Sequence, residues 1–304
     1  MLDAPSPASA SEPSATAAAR RPQWVGLTAD ECFWLAAVGV GLAAAFGPEL
    51  IWMVGRWLRS EYYGHGFLIP PLAAYLMYRR REPVAEAVGV RGRRLGLAVV
   101  LVGLALHLAA VLVDVNFASG FAFIAVLWGL VCWLWGWRAA RLVLFPMAYL
   151  AFMVPVDRLL IDAFASPLQL IVAQAAAGIA KALGAPVVRE GVNLGLPTYL
   201  FEVAVPCSGL KSLTTMAALA ALYAWALRAH LWQRLAVFTA ALPLAVLANI
   251  TRVTAILLVA HGLGANLAEG FVHTLSGVLV FAVGLLGLYG TGRLLGCRAL
   301  RDDI

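Results

Sequence analysis

A cysteine, an arginine and a histidine stand in this chain where such side chains are out of keeping with their surroundings. Cys207 lies in PCSGLKSL (206–213), where a loop passes into a hydrophobic helix. Arg252 lies inside the apolar run LAVLANITRVTAILLVA (244–260), and His273 sits near the start of another, FVHTLSGVLV (271–280). A thiol at a helix N-terminus meets unpaired N–H groups and the positive end of the dipole, which favour the nucleophilic thiolate. Gly209, two residues on, lets a second backbone or a substrate come close. An arginine at membrane depth costs roughly 2.5–3.5 kcal/mol on insertion scales, so it persists with a partner or a function. An imidazole exchanges protons near neutral pH. Cys, Arg and His at one face of a membrane are the parts of a thiol protease or transpeptidase, provided that the fold brings them together.

Each of the three also has a plain structural reading. Free cysteine behaves as a small apolar residue, and Cys32, Cys132 and Cys297 are read that way. Cys207 alone is expected to face the outer compartment, where an unpaired thiol is a liability unless it is used. Arg252 could form a structural pair, although few acids lie within the apolar runs; Asn249, three residues earlier, shares its helix face and could orient the guanidinium. A lone histidine is more often a satisfied core residue than a catalyst. His261 and His65 compete with His273 as the proton carrier, whereas His107 reads as a mid-span structural residue and His230 as cytoplasmic.

The elements that must position these groups are membrane helices. Of 304 residues, 62% are hydrophobic and 12% charged, with mean hydropathy +0.87; a soluble domain is nearer half apolar and a quarter charged. The net charge of +6 is topological, and no nucleic-acid motif accompanies it. Eight candidate spans fall at roughly 32–54, 65–79, 95–114, 118–136, 139–155, 208–227, 235–260 and 271–292. The second is short and opens on Pro70 and Pro71, as a broken helix would. Residues 159–184 read as an amphipathic outer helix that lies on the membrane surface or dips into it, and 187–205 as one or two short strands with a turn. The fold class is thus an all-α polytopic membrane protein with a strand-like outer segment. Arginines cluster at 79–81, 91–94, 138–141, 228–234 and 293–301, all on one side for eight spans, and that side is expected to be cytoplasmic, with both termini. Residues 1–30 are expected to form a disordered cytoplasmic tail, 31–296 the membrane domain with its outer segment 156–207, and 297–304 a second cytoplasmic tail. No metal or cofactor is expected.

Several blocks together resemble the exosortase/archaeosortase family of polytopic membrane transpeptidases. They are PCSGLKSL (206–213), ANITRV (248–253) and FVHTLSG (271–277), with YGHGFLIPP (63–71) followed by YLMYRRR (75–81), and the approach GVNLGLPTYLFEVAVPCSG (191–209). The likeness runs over roughly residues 50–295. It implies that Cys207 is the nucleophile, that Arg252 stabilises the developing oxyanion and that His273 is the general acid and base. It implies as partners exported proteins with a C-terminal tripartite signal (the PEP-CTERM type): a Pro-Glu-Pro-like motif, a transmembrane helix and a basic cluster. A surface acceptor, such as a polysaccharide or a lipid, would take the new C-terminus. The expected place is a bacterial inner membrane, multi-pass, with the site on the periplasmic side.

Around that site, Ser208, Gly209, Lys211, Asn249, Arg189 and His65 are expected to contact substrate, with Arg158, Arg189 or Lys211 attracting the acid of the motif. Two alternatives stay open: a membrane cysteine protease that only hydrolyses, and a polytopic transporter in which Arg252 and Asn249 line a pathway.

Overall fold

The computed structural model describes residues 29–60, 62–156, 158–197, 199–202, 210–264, 273–297 and 299–301. The chain begins with α1 (Ala29–Arg59), a 3-10 turn (Gly64–Phe67), α2 (Ile69–Arg79), α3 (Arg81–Glu86), α4 (Arg93–Leu112) and α5 (Asn116–Trp135). Next come α6 (Trp137–Leu142), α7 (Leu144–Tyr149), a 3-10 turn (Leu150–Met153) and α8 (Arg158–Ala182). Three strands follow: β1 (Val188–Glu190), β2 (Asn193–Leu196) and β3 (Tyr199–Glu202). The chain closes with α9 (Leu210–Ala226), α10 (Leu231–Thr239), α11 (Ala241–Leu263) and α12 (His273–Leu294).

This is an all-α membrane protein carrying one small sheet. Among the described residues, Phe33–Arg59, Arg93–Leu112, Asn116–Trp135 and Leu231–Leu263 are long and apolar enough to cross a membrane. Of the other expected spans, 271–292 forms one unbroken helix, α12, 208–227 forms the shorter α9, and 65–79 and 139–155 are broken, with proline at both breaks. Pro70 and Pro71 begin α2, where a missing N–H has no partner to lose. Pro146 cannot donate to the carbonyl of Leu142, four residues back, and the expected span 139–155 divides there into α6, α7 and a 3-10 turn. Arg80 replaces the lost donor: its Nη1 gives a hydrogen bond to Leu142 O at 2.9 Å.

In lipid, helices associate through close packing rather than through exclusion of water. Glycines let α4 and α5 touch backbone to backbone. A Cβ on Gly96 would lie 2.7 Å from the Cys132 carbonyl carbon, and one on Gly103 would lie 2.7 Å from Val126 Cγ2. His107 Nδ1 and Ser119 Oγ, 2.7 Å apart, link the same two helices, so the structural reading of His107 holds. Cys132 is buried with Sγ 3.4 Å from Gly92 O, and Cys297 is buried too.

The arginine-rich segments meet at one end of the bundle. Gly89 N donates to Trp135 O (3.0 Å) and Trp137 N to Arg91 O (2.8 Å). Arg228 N donates to Ala299 O (2.9 Å) and Arg301 N to Ala226 O (2.8 Å). Residues 295–297 and 299–301, which run into the expected tail 297–304, are therefore a strap folded on α9 and α10, and Cys297 packs there with Leu227 and Val237. At this rim Trp225 stacks on Phe145 (4.4 Å between centroids, planes 3° apart), with the guanidinium of Arg80 4.7 Å and that of Arg301 5.5 Å from its ring.

The amphipathic segment, expected on the membrane surface or dipping into it, packs against a long apolar helix. The α8 face formed by Val172, Ala173, Ala176, Ala177 and Ala180 packs on Val253, Ile256, Leu257 and Ala260 of α11. Alanine spacing at i, i+3, i+4 and i+7 admits this close approach. The antiparallel sheet, in order β1-β2-β3, closes the end of that pair with Leu194 and Leu196. The expected strands at 187–205 are thus present within 188–202 and number three.

The glycine contacts predict a contrast in thermal unfolding of the detergent-solubilised protein. Gly96→Ala should destabilise by about 1–3 kcal/mol, because its Cβ meets backbone that cannot swing aside. Gly41→Ala, with nothing within 4 Å, should be neutral or gain up to ~1 kcal/mol in helix propensity.

Candidate functional site

The site is framed by α9, α11 and α12. A Cβ on Gly284 would lie 2.6 Å from Met216 Cε, and one on Gly292 would lie 3.2 Å from Tyr223 Cζ. The pairings 216 with 284 and 223 with 292 differ by 68 and 69 residues, so α9 and α12 run parallel and in step. Their N-termini therefore open toward the same face. A Cβ on Gly287 would lie 2.7 Å from Leu244 Cδ2, and Ala241 packs with Met216 and Leu288, which places α11 antiparallel between them.

That register sets the depth of Arg252. Leu244 is level with Gly287, and Arg252 stands eight residues, or about 12 Å, further along α11. On α12 the same level falls near residue 279, and on α9 near residue 211, in its first turn. His273, the first residue of α12, lies six residues or about 9 Å beyond the Arg252 level, toward the face on which the α9 and α12 N-termini open. Direction agrees with depth. At about 100° per residue, Arg252 projects within about 20° of Ala241, which faces α9 and α12. His261 falls about 200° from Ala241 by the same count, on the far side of α11, and it is exposed.

Asn249 is 1% exposed, deep in the bundle, while Arg252 is partly exposed, so the polar pair grades from the interior outward. Thr254 is also buried, with no hydrogen-bond partner for Oγ1; a lone threonine in an apolar run carries no signal that singles it out. Cys207, Ser208 and Gly209 lie outside the described residues, as do the side chains of Lys211, Arg158 and His273. Described on either side of the cysteine are Glu202, which ends β3, and Leu210, which begins α9. Arg189 is exposed on β1, and its Nη1 donates to Gly191 O at 2.9 Å, which ties it to the β1–β2 turn.

His65 belongs to a second cluster, where α1 turns into α2, that the sequence pattern only partly signals. Trp57 Nε1 donates to Met153 O (2.8 Å), and Val156 N donates to Tyr63 Oη (2.9 Å). These bonds pin the α1–α2 connection to the segment after α7. Gly66 has no room for a Cβ, which would lie 2.8 Å from Trp57 Cε2. His65 is half-buried in that connection, and desolvation lowers its pKa, opposed by the nearby carbonyls of Phe152 and Tyr62. Trp57 is a residue missed from sequence; its signal was the aromatic belt expected where a helix leaves the membrane.

The family model described as Transmembrane exosortase (Exosortase_EpsH) matches residues 57–290. No curated protein and no solved structure matches the chain.

The lowered pKa of His65 has a definite sign for stability. Between its ordinary value near 6.5 and its lower folded value, the unfolded chain binds the extra proton, so stability falls as pH falls through that window. His65→Gln should flatten the dependence of the unfolding midpoint on pH below about 6.5, measured by a thermal shift series. An unchanged slope would show that His65 does not carry it.

Proposed function

Because the chain belongs to the transmembrane exosortase family, we propose that it is a membrane cysteine transpeptidase acting on exported proteins that carry a C-terminal sorting signal. The signal's helix lies beside the enzyme's helices and presents the motif at the outer face. Cys207, as thiolate, attacks the scissile carbonyl carbon; a C–S bond forms, and negative charge develops on the carbonyl oxygen. Arg252 offsets that charge in a low-dielectric setting, where such stabilisation is strongest. His273 gives its proton to the departing amine as the C–N bond breaks, leaving a thioester. It then takes a proton from the acceptor nucleophile, whose attack releases the product and restores the thiolate.

The single observation that supports this function is the parallel register of α9 and α12 with Arg252 level with the first turn of α9. Cys207 precedes Leu210 by three residues, so the same helix ends carry the proposed nucleophile and proton carrier. Two aligned helix N-termini also favour a thiolate over a thiol. Asn249 would steady the guanidinium, and Ser208, Gly209, Lys211, Arg189 and His65 would border the bound motif. The proposed setting is a bacterial inner membrane, with the site periplasmic and both termini cytoplasmic. The convergence of the arginine segments at the opposite end supports that orientation.

The test is a co-expressed reporter ending in a Pro-Glu-Pro-like motif, a helix and a basic cluster. Wild type should shorten it. Cys207→Ala and His273→Ala should abolish shortening, and Arg252→Ala should slow it by about 10²–10³. Mass spectrometry of the product C-terminus separates transfer, which adds an acceptor mass, from hydrolysis, which adds water. Full processing by Cys207→Ala would contradict the function and favour a transporter.

A further inference from the structure

A cleft of about 590 Å³ opens between α9 and α12 at the arginine-rich end of the bundle. Leu219, Leu222 and Tyr223 of α9 form one wall, and Leu285 and Tyr289 of α12 the other; among the described residues that line it, Arg293, in the last turn of α12, carries the charge. The strap ending in Ala299 and Leu300 borders the same end. The catalytic proposal uses none of these groups.

The dimensions limit what the cleft can hold. Its walls run from Leu219 to Ala226 and from Leu285 to Arg293, or about 10–12 Å along the helices. A crossing helix needs a track of roughly 30 Å, whereas one leaflet's hydrocarbon is half that, roughly 15 Å. The cleft thus spans a single leaflet. Its apolar walls reach into membrane depth, and its cationic end lies at the rim where Arg228 and Arg301 bond to the strap and to α9. Leu285 and Tyr289 are 38% and 55% exposed, so the cleft is open from the side.

We propose that this cleft is a lipid site: it takes an acyl chain of an anionic phospholipid from the arginine-side leaflet, with the phosphate on Arg293. Charge complementarity selects this occupant. The helix of a tripartite sorting signal is the rival, but it would bring its own basic cluster against Arg293, Arg228 and Arg301. An arginine at a helix C-terminus also complements the dipole, but that role needs no cleft beside it. The site does not depend on the chemistry proposed at the opposite face, and the two can fail separately.

The experiment uses the full chain in detergent, equilibrated with equal amounts of phosphatidylglycerol and phosphatidylcholine of identical acyl chains, with retained lipid counted by native mass spectrometry. Wild type should prefer phosphatidylglycerol. Arg293→Gln should lower the preference roughly fivefold, the scale of one basic residue at an anionic surface. Leu285→Trp, which fills the cleft from an exposed position, should reduce retention of both lipids while the reporter is still shortened. An unchanged preference in Arg293→Gln, or undiminished retention in Leu285→Trp, would overturn the proposal. Loss of reporter cleavage in Leu285→Trp with lipid retention intact would overturn it too, and assign the cleft to the sorting helix.

Discussion

The close approach of α12 to its two neighbours is the constraint on which the candidate site depends. Water does not push helices together inside a bilayer, so small residues and shape decide which faces meet. Gly284, Gly287 and Gly292 accept Met216, Leu244 and Tyr223, and those three contacts fix axial register as well as distance. A shift of one turn would carry His273 about 5 Å along the axis and separate it from the Arg252 level. The parallel sense of α9 and α12 matters as much, because two N-terminal dipole ends then open toward one face. That face would suit both a thiolate and an oxyanion.

The ends of the bundle hold this register from outside the site. At the arginine-rich rim, Trp225 of α9 contacts Phe145 and the guanidinium groups of Arg80 and Arg301, so one aromatic ring joins the C-terminal end of α2, α7, α9 and the strap. Arg80 also fills the place of the donor that Pro146 lacks. A basic residue that topology alone would explain is therefore a structural part as well. At the other end, α8 and the sheet brace the outer half of α11, and β3 leads toward α9. The chain thus enters the segment holding Cys207 from a braced strand.

Much of this was legible in the sequence, and the exceptions have physical causes. The helical segments stood out because apolar runs bounded by arginines mark spans and orientation together. The strands at 188–202 were visible because Val, Leu, Tyr and Phe alternate around Gly191 and Gly195. Arg252 was conspicuous because charge is costly at membrane depth. The packing of α8 on α11 was not legible: an alanine stripe has the same hydropathy whether it meets lipid or a helix. Nor was the folding back of the strap, since its arginine-bearing end read as a solvated tail. Hydropathy also proposed a continuous span at 139–155, which Pro146 and the turn after Tyr149 divide. The trio at 207, 252 and 273 was found by chemistry and motif, while register, a property of paired surfaces, needed coordinates.

The central claim is that the N-terminal ends of α9 and α12 meet. The most direct measurement is crosslinking between Cys207 and the thiol introduced by His273→Cys, in native membranes, with a short bifunctional thiol reagent. The other three cysteines are replaced by serine or alanine, and the crosslinked peptide is identified by mass spectrometry. The packing described here predicts efficient crosslinking, and little when the second thiol comes instead from His261→Cys on the far side of α11. Strong crosslinking to position 261 with none to position 273, while Cys207 still reacts with a monofunctional reagent, would contradict it.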